Sequence, residues 1–160
     1  MRKVTFDTTE KPNSPAVQLA LRTGWHVAYV TVSVREAAGT DFEVELKSLN
    51  HVVESGVWDE SEWDQALWSG DDEGLRFEEI LKIITDGSFP RDRSNLSEGQ
   101  KHQLRDAMIL SAHARECREV FVTEDQKAFV KGGRKEKLES LAATRILSSS
   151  QFVQEFSQIS

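Results

Sequence analysis

The chain has 160 residues and one cysteine, Cys117. That is the length of a single domain, able to bury about 68–70% of its unfolded surface without a staple, and one thiol excludes both an internal disulfide and a Cys-rich zinc module. Lys and Arg number 20 against 27 Asp and Glu, a formal charge of −7. The average surface therefore repels nucleic acid, and any role on RNA needs a local basic patch or bridging cations. Neither a signal-peptide pattern nor an apolar run of about 18 residues is present, so the reading is a cytoplasmic protein with no membrane segment.

In chain order, Lys3-Val4-Thr5-Phe6 is β-prone and runs into Asp7, a strand ending at an acid. Breakers follow at Pro12-Asn13-Ser14-Pro15, then a short helix over Ala16 to Leu21 that Gly24 stops. The strongest strand signal is His26 to Val32, which continues into Val34-Arg35-Glu36, again with an acid at the expected strand exit. Between Phe42 and Asn95 the pattern blurs. Helical spacing occurs over Asp59 to Leu67 and Leu75 to Thr85, where Trp63, Leu67, Phe77, Ile80, Leu81 and Ile84 make apolar stripes. Three of the four Trp lie between Val57 and Ser69, where packing on the core is the expectation. Apolar faces on the central helices would suit a homodimer as well as a core.

Ser97 with Gln100 predicts a capping box, opening a helix that runs through Leu104, Ala107, Met108, Ser111 and Ala114 to about Cys117, read as a small buried thiol. Val120 to Thr123 is a short buried strand exiting into Glu124-Asp125. Short helices over Gln126 to Val130 and Lys135 to Ala143, a strand at Arg145-Ile146-Leu147, and a terminal helix capped by Ser148 complete the chain. Strands alternating with helices imply an α/β fold: one three-layer α/β/α domain over residues 1–160 with a central, mainly parallel sheet and a helical, Trp-rich middle at about 41–95.

In such sheets the strand-to-helix loops at the carboxyl ends are the free surface, where ligands gather. Asp7, Glu36 and Asp125 each fall at or just beyond an expected strand end, and Asp106 lies in the first half of the Ser97 helix at the head of the apolar run Ala107-Met108-Ile109-Leu110, so four carboxylates can converge. Crowded carboxylates raise one another's pKa and persist at neutral pH when cations occupy them. Oxygen donors without His or Cys favour Mg²⁺ or Mn²⁺ over zinc, and such ions would activate water and stabilise the leaving oxygen of a phosphodiester. Glu10, Asp41 and Glu43 are substitutes for Glu36 in the same region. His113 lies too far along the helix from Asp106 to share a metal and is expected to pack, whereas His102 can reach the rim of the site. Lys127, Lys131, Arg134 and Lys135, with Arg105, form the basic set expected to grip an RNA backbone; Lys137, Arg91, Arg93 and Lys101 could extend it.

These residues resemble the PIN-domain ribonucleases, which include toxins of the VapC type. The resemblance rests on the opening strand with Asp7-Thr8-Thr9, on Val30 to Glu36, on Arg105-Asp106-Ala107-Met108 through Ala114, and on Val120-Phe121-Val122-Thr123-Glu124-Asp125 through Phe129. It covers roughly 1 to 37 and 97 to 158. It implies a three-layer fold, Mg²⁺- or Mn²⁺-dependent cleavage of RNA, and a metal site carried onto Asp7, Glu36, Asp106 and Asp125 as catalytic acids, with Thr123 supporting them. On the toxin branch a small antitoxin would be the partner. The sequence departs from the family in a short, two-proline stretch between Asp7 and Glu36 and in its long Trp-rich middle. The rival readings are a catalytically silent module of the same fold that binds RNA or protein and, further off, a Mg²⁺ phosphatase or phosphoacceptor domain, whose acid pattern Asp7-Thr8-Thr9 lacks.

Overall fold

The computed structural model describes residues 1–53 and 71–159. Among them five short strands form one sheet: β1 (Lys3–Phe6), β2 (His26–Val30), β3 (Asn50–Val52), β4 (Val120–Val122) and β5 (Arg145–Leu147). Their order is β3-β2-β1-β4-β5, and every pairing is parallel. Parallel neighbours require crossovers, and helices supply them. These are α1 (Pro15–Arg22), α2 (Thr31–Glu36), α3 (Glu43–Ser48), α4 (Asp71–Thr85), α5 (Glu98–Arg115), α6 (Gln126–Phe129) and α7 (Arg134–Ala142), with α8 (Ser149–Phe156) closing the chain.

Strand side chains alternate between faces, so a sheet covered on both sides divides its apolar residues between two cores. Val4, Phe6, Val27, Tyr29, Val120 and Val122 pack with α1 and α8. Ala28, Val30, Phe121 and Ile146 pack with α4, α5 and α7 on the other face. The result is the α/β/α sandwich expected from the sequence. α5 is buried at every position from Ala107 to Ala114. A helix apolar on all sides belongs between other elements, and α5 lies under the sheet with α4 packed along it.

Caps fix where the helices begin. Ser97 Oγ accepts the Gln100 N–H (3.2 Å) while Gln100 Oε1 accepts the Ser97 N–H (2.9 Å), and Ser148 with Gln151 repeats the arrangement at α8. On α8, Phe152 and Phe156 are buried against Trp25, with ring centroids 5.3 and 4.9 Å from the indole.

Several sequence expectations are corrected. The β2 strand stops at Val30, and Thr31 to Glu36 is helix. The ladders end there, at Thr5 against Ala28 and Val30 against Val52, so residues beyond have no strand partner and satisfy their N–H groups helically. The blurred middle contains α3 and the edge strand β3. The apolar stripe on α4 is used inside the chain, with Phe77, Ile80, Leu81 and Ile84 buried. Cys117 is exposed, not buried, because α5 ends at Arg115 and Cys117 adopts the left-handed φ of 49° that follows a helix C-terminus. The expected helix at Asp59 to Leu67 and the three Trp near it lie outside the described residues. Among the described residues no helix is long and apolar enough to cross a membrane.

Deleting the Phe152 ring is expected to cost about 3–5 kcal/mol of unfolding free energy, and Ser97→Ala about 1 kcal/mol, in urea titrations followed by circular dichroism. An effect of Phe152→Ala below that of Ser97→Ala would contradict the docking of α8.

Candidate active site

The sheet order reverses at β1: the chain leaves it toward β2 and β3, and returns to its other side as β4 and β5. Connections diverge at such a switch point and leave a crevice beyond the carboxyl ends of the two strands. Asp7 and Asp125 stand at that crevice. The Asp7 N–H still donates to Val122 O (2.9 Å), so the ladder runs one residue past β1. Two residues from Thr5, Asp7 falls on the same face, the one covered by α5.

Asp7 is 2% exposed. Its Oδ1 accepts the Thr8 N–H (2.8 Å), and its Oδ2 accepts the hydroxyls of Thr123 (2.7 Å) and Thr9 (3.3 Å). Thr123 in turn accepts the Asp125 N–H at Oγ1 (3.0 Å), so one hydroxyl ties together the exits of β1 and β4. Asp125 caps α6, its Oδ1 accepting the Ala128 N–H (2.9 Å), and its other oxygen is not used by the cap. Glu36 ends α2, and the Thr8 hydroxyl donates to its Oε2 (2.8 Å). Thr8 and Thr9 thus join the site beside the acids, and a hydroxyl residue directly after a strand-end acid is the sequence signal that marks them.

Asp106 completes the group from α5, half-buried and without a hydrogen-bond partner among the described residues. Burial pushes its carboxyl up to about 9, and the charges of Asp7, Asp125 and Glu36 push in the same direction. Burial also raises Asp7, to about 6, against the opposing donors Thr123 and Thr8 and with added repulsion from Glu36 and Asp125. The charges of Glu36 and Asp125 thus reach both Asp7 and Asp106. Among the described residues, however, no three His, Cys, Asp or Glu side chains are gathered tightly enough to form a ready-made metal cage. The donor set, oxygen throughout and short of positive charge, fits a hard divalent cation, which would draw the carboxylates closer.

Asp106 and Asp125 share the wall of a cleft of about 470 Å³ with Lys127 and Arg134. Glu36 and Arg105 line a separate hollow of about 160 Å³ with Arg35. The rest of the expected basic set is dispersed. Lys131 is exposed on the turn before α7, and Lys135 lines a different hollow beside Arg145. Arg134 Nη2 binds Asp86 (2.7 Å), and its Nη1 reaches the Lys127 carbonyl. Arg93 forms a bidentate pair with Glu78 (2.9 and 2.7 Å), and Lys101 lies 3.4 Å from Glu98. Among the substitutes for Glu36, Glu10 is buried with its Oε1 accepting the Ser149 hydroxyl (2.9 Å), Glu43 pairs with Lys47, and Asp41 is exposed.

His113 is fully buried, with Nδ1 2.9 Å from Thr5 Oγ1 and Nε2 2.7 Å from Thr144 Oγ1. Thr144 Oγ1 also lies 3.1 Å from the Glu119 carbonyl, to which it can only donate, so it accepts from His113 Nε2–H and leaves Nδ1 to accept from Thr5. Burial lowers this imidazole to about 3, and the Arg118 charge adds to the effect. His113 is thus a neutral core residue. His102 is exposed on the wall of the larger cleft.

Compared with models of protein families, with curated proteins and with solved structures, the chain matches none.

The two raised carboxyls make a pH prediction. Both folded-state values exceed the 3.8 of a free Asp, so protonation favours the fold: the contribution is complete below about pH 4 and is lost as pH rises through 6 for Asp7 and 9 for Asp106. Asp106→Asn removes the second part. In metal-free protein it is expected to match wild type near pH 4 and to exceed it by several degrees in Tm near pH 9, each kcal/mol being worth about 2–4 °C at this size. A Tm difference that does not grow with pH would refute the crowding.

Proposed function

We propose that the chain is a divalent-metal-dependent endoribonuclease of the PIN-like kind. The observation that carries this reading is Asp106: a half-buried carboxylate with no hydrogen-bond partner among the described residues, within the field of three other acids at the switch point of a parallel sheet. An uncompensated group of that sort destabilises the fold at neutral pH, and a cation offsets the cost. Asp7, Asp106, Asp125 and Glu36 would hold Mg²⁺ or Mn²⁺.

When bound, the cation supplies positive charge that lowers the pKa of an attacking water and offsets the charge growing on the phosphate. The protein's own part is orientation. Thr123, Thr8 and Thr9 fix both oxygens of Asp7, leaving the carboxylate little rotational freedom. Thr8 holds Glu36 by its Oε2, and the α6 cap holds Asp125 by its Oδ1. Lys127, exposed on the cleft wall, is placed to attract a phosphate toward the acids, and Arg134 is braced behind it by Asp86. With a cation held there, these acids would repel RNA less at this edge of a chain whose formal charge is −7.

The test is calorimetric titration of Mn²⁺ and Mg²⁺ into wild type and the Asp106→Asn/Asp125→Asn double variant, paired with cleavage of a mixed single-stranded RNA panel. Asn keeps the α6 cap, so the variant is expected to fold. Wild type is expected to bind the ions and cut; the variant should lose at least about a hundredfold in rate, as befits several kcal/mol of lost charge stabilisation. If wild type binds neither ion better than the variant, the metal reading fails and a silent RNA- or protein-binding module takes its place.

A further inference from the structure

The 470 Å³ cleft opens directly from the acids, because Asp106 and Asp125 belong to its wall. Of the α5 residues that line it, Gly99, Gln103 and Asp106 follow one another at spacings of four and three on one helix face, which places Gly99 about 10 Å along the axis from the carboxylate. Its floor is apolar, formed by Ile84 (1% exposed) and Ala128 (6% exposed). The volume falls in the range of single small-ligand sites, about 300–1,000 Å³.

Two features of that wall make no packing or hydrogen-bonding contact with the side chains of the described residues that would require them. Gly99 lies in the first turn of α5 with ordinary helical backbone, and a methyl group added there would meet nothing nearer than Ser97 Oγ at 4.0 Å. Neither the backbone nor the packing requires glycine, which costs a helix about 1 kcal/mol relative to alanine. What it does is leave the cleft open. Gln103 is the second feature. Its neighbour Gln100 spends its amide on the capping box, whereas the Gln103 side chain has no hydrogen-bond partner among the described residues. An amide carries both a donor and an acceptor, the combination that pairs with the edge of a base rather than with phosphate.

On the other side stands the 160 Å³ hollow beside Glu36, lined by Arg35 and Arg105. It is smaller, and its charged residues are Glu36, Arg35 and Arg105, whereas the larger cleft joins Lys127 and Arg134 to the amides of Gln100 and Gln103.

We propose that the larger cleft is a nucleobase pocket that takes the unpaired base next to the scissile phosphate, with Gln103 reading its edge and Gly99 providing its room. The position of the scissile phosphate rests on the ribonuclease reading; the pocket's affinity for a base does not. The exposed His102 imidazole, on the same wall, offers a face for stacking.

The experiment uses the full chain as wild type, Gly99→Leu and Gln103→Ala. Neither variant touches a carboxylate, and Gly99→Leu is expected to melt no lower than wild type. Binding of AMP, CMP, GMP and UMP is measured by amide chemical-shift changes, and the ends of RNA fragments cut from a random single-stranded library in Mn²⁺ are sequenced. Wild type is expected to favour one or two of the four nucleotides and to show the same preference beside the cut. Gln103→Ala should flatten that preference by about five- to a hundredfold, the discrimination carried by one good edge contact. Gly99→Leu should weaken all four nucleotides and raise KM, with Mn²⁺ affinity unchanged. If both variants bind nucleotides and cut as wild type does, the pocket is refuted while the nuclease stands. If wild type binds no nucleotide, the pocket is refuted whether or not RNA is cut. Nucleotide binding that Gly99→Leu abolishes, in a protein that cuts nothing, upholds the pocket and defeats the nuclease reading.

Discussion

A carboxylate buried at the end of the central strand has to be satisfied by its neighbours, and the way Asp7 is satisfied organises the top of this molecule. Its three donors come from the residues that follow it and from the exit of β4. Thr123 is the hinge of the arrangement, since one hydroxyl proton goes to Asp7 while the oxygen accepts the Asp125 N–H. Strand exits that would otherwise part at the switch point are thereby held in register. The acids that the topology brings together are in this way also fixed in orientation.

At the opposite end of the sheet the buried charge is a cation. Arg118, 2% exposed, donates from one nitrogen to the carbonyls of Val4 (2.8 Å) and His26 (2.5 Å), joining β1, β2 and the start of β4. Burial lowers this guanidinium to about 10, against the attraction of Glu116, and it remains cationic at neutral pH. Arg2 lies between Trp25 and Phe156, 4.1 and 4.6 Å from their ring centres, and closes that end over the α8 aromatics. His113 stands midway, kept neutral by burial and by Arg118. The buried cation is therefore tied to carbonyls at one end, while the acidic end keeps a carboxylate, Asp106, that has no cationic or hydrogen-bonding partner among the described residues.

Much of this was legible in sequence because it depends on neighbours a few residues apart. The Ser97–Gln100 box, the Ser148 cap, the strand at Arg145 to Leu147 and the apolar stripe of α4 are all local patterns. So is the rule that acids at strand exits meet on one edge, which places Asp7 and Asp125. The misread elements lack such a signal. β3 has only three residues, two of them exposed, and is a strand only because Val30 and its neighbours offer a free edge. Val32 and Val34 alternate as a strand would, yet the sheet has already ended. Cys117 has apolar character but takes the left-handed position that ejects it from the core.

From the sequence alone came the α/β class, the order of most elements and the identity of four acids, since periodicity, capping and strand-end position are properties of short segments. The tertiary structure decided the partners: that Thr8 holds Glu36 and Thr123 holds Asp7, that Arg134 pairs with Asp86 and Arg93 with Glu78, and that Gly99 and Gln103 face a cleft beside Asp106. Those pairings join residues up to 116 positions apart. Charge and hydrogen-bonding capacity are written in each residue, but which neighbour uses them depends on distance in space, and that exists only once the sheet has formed.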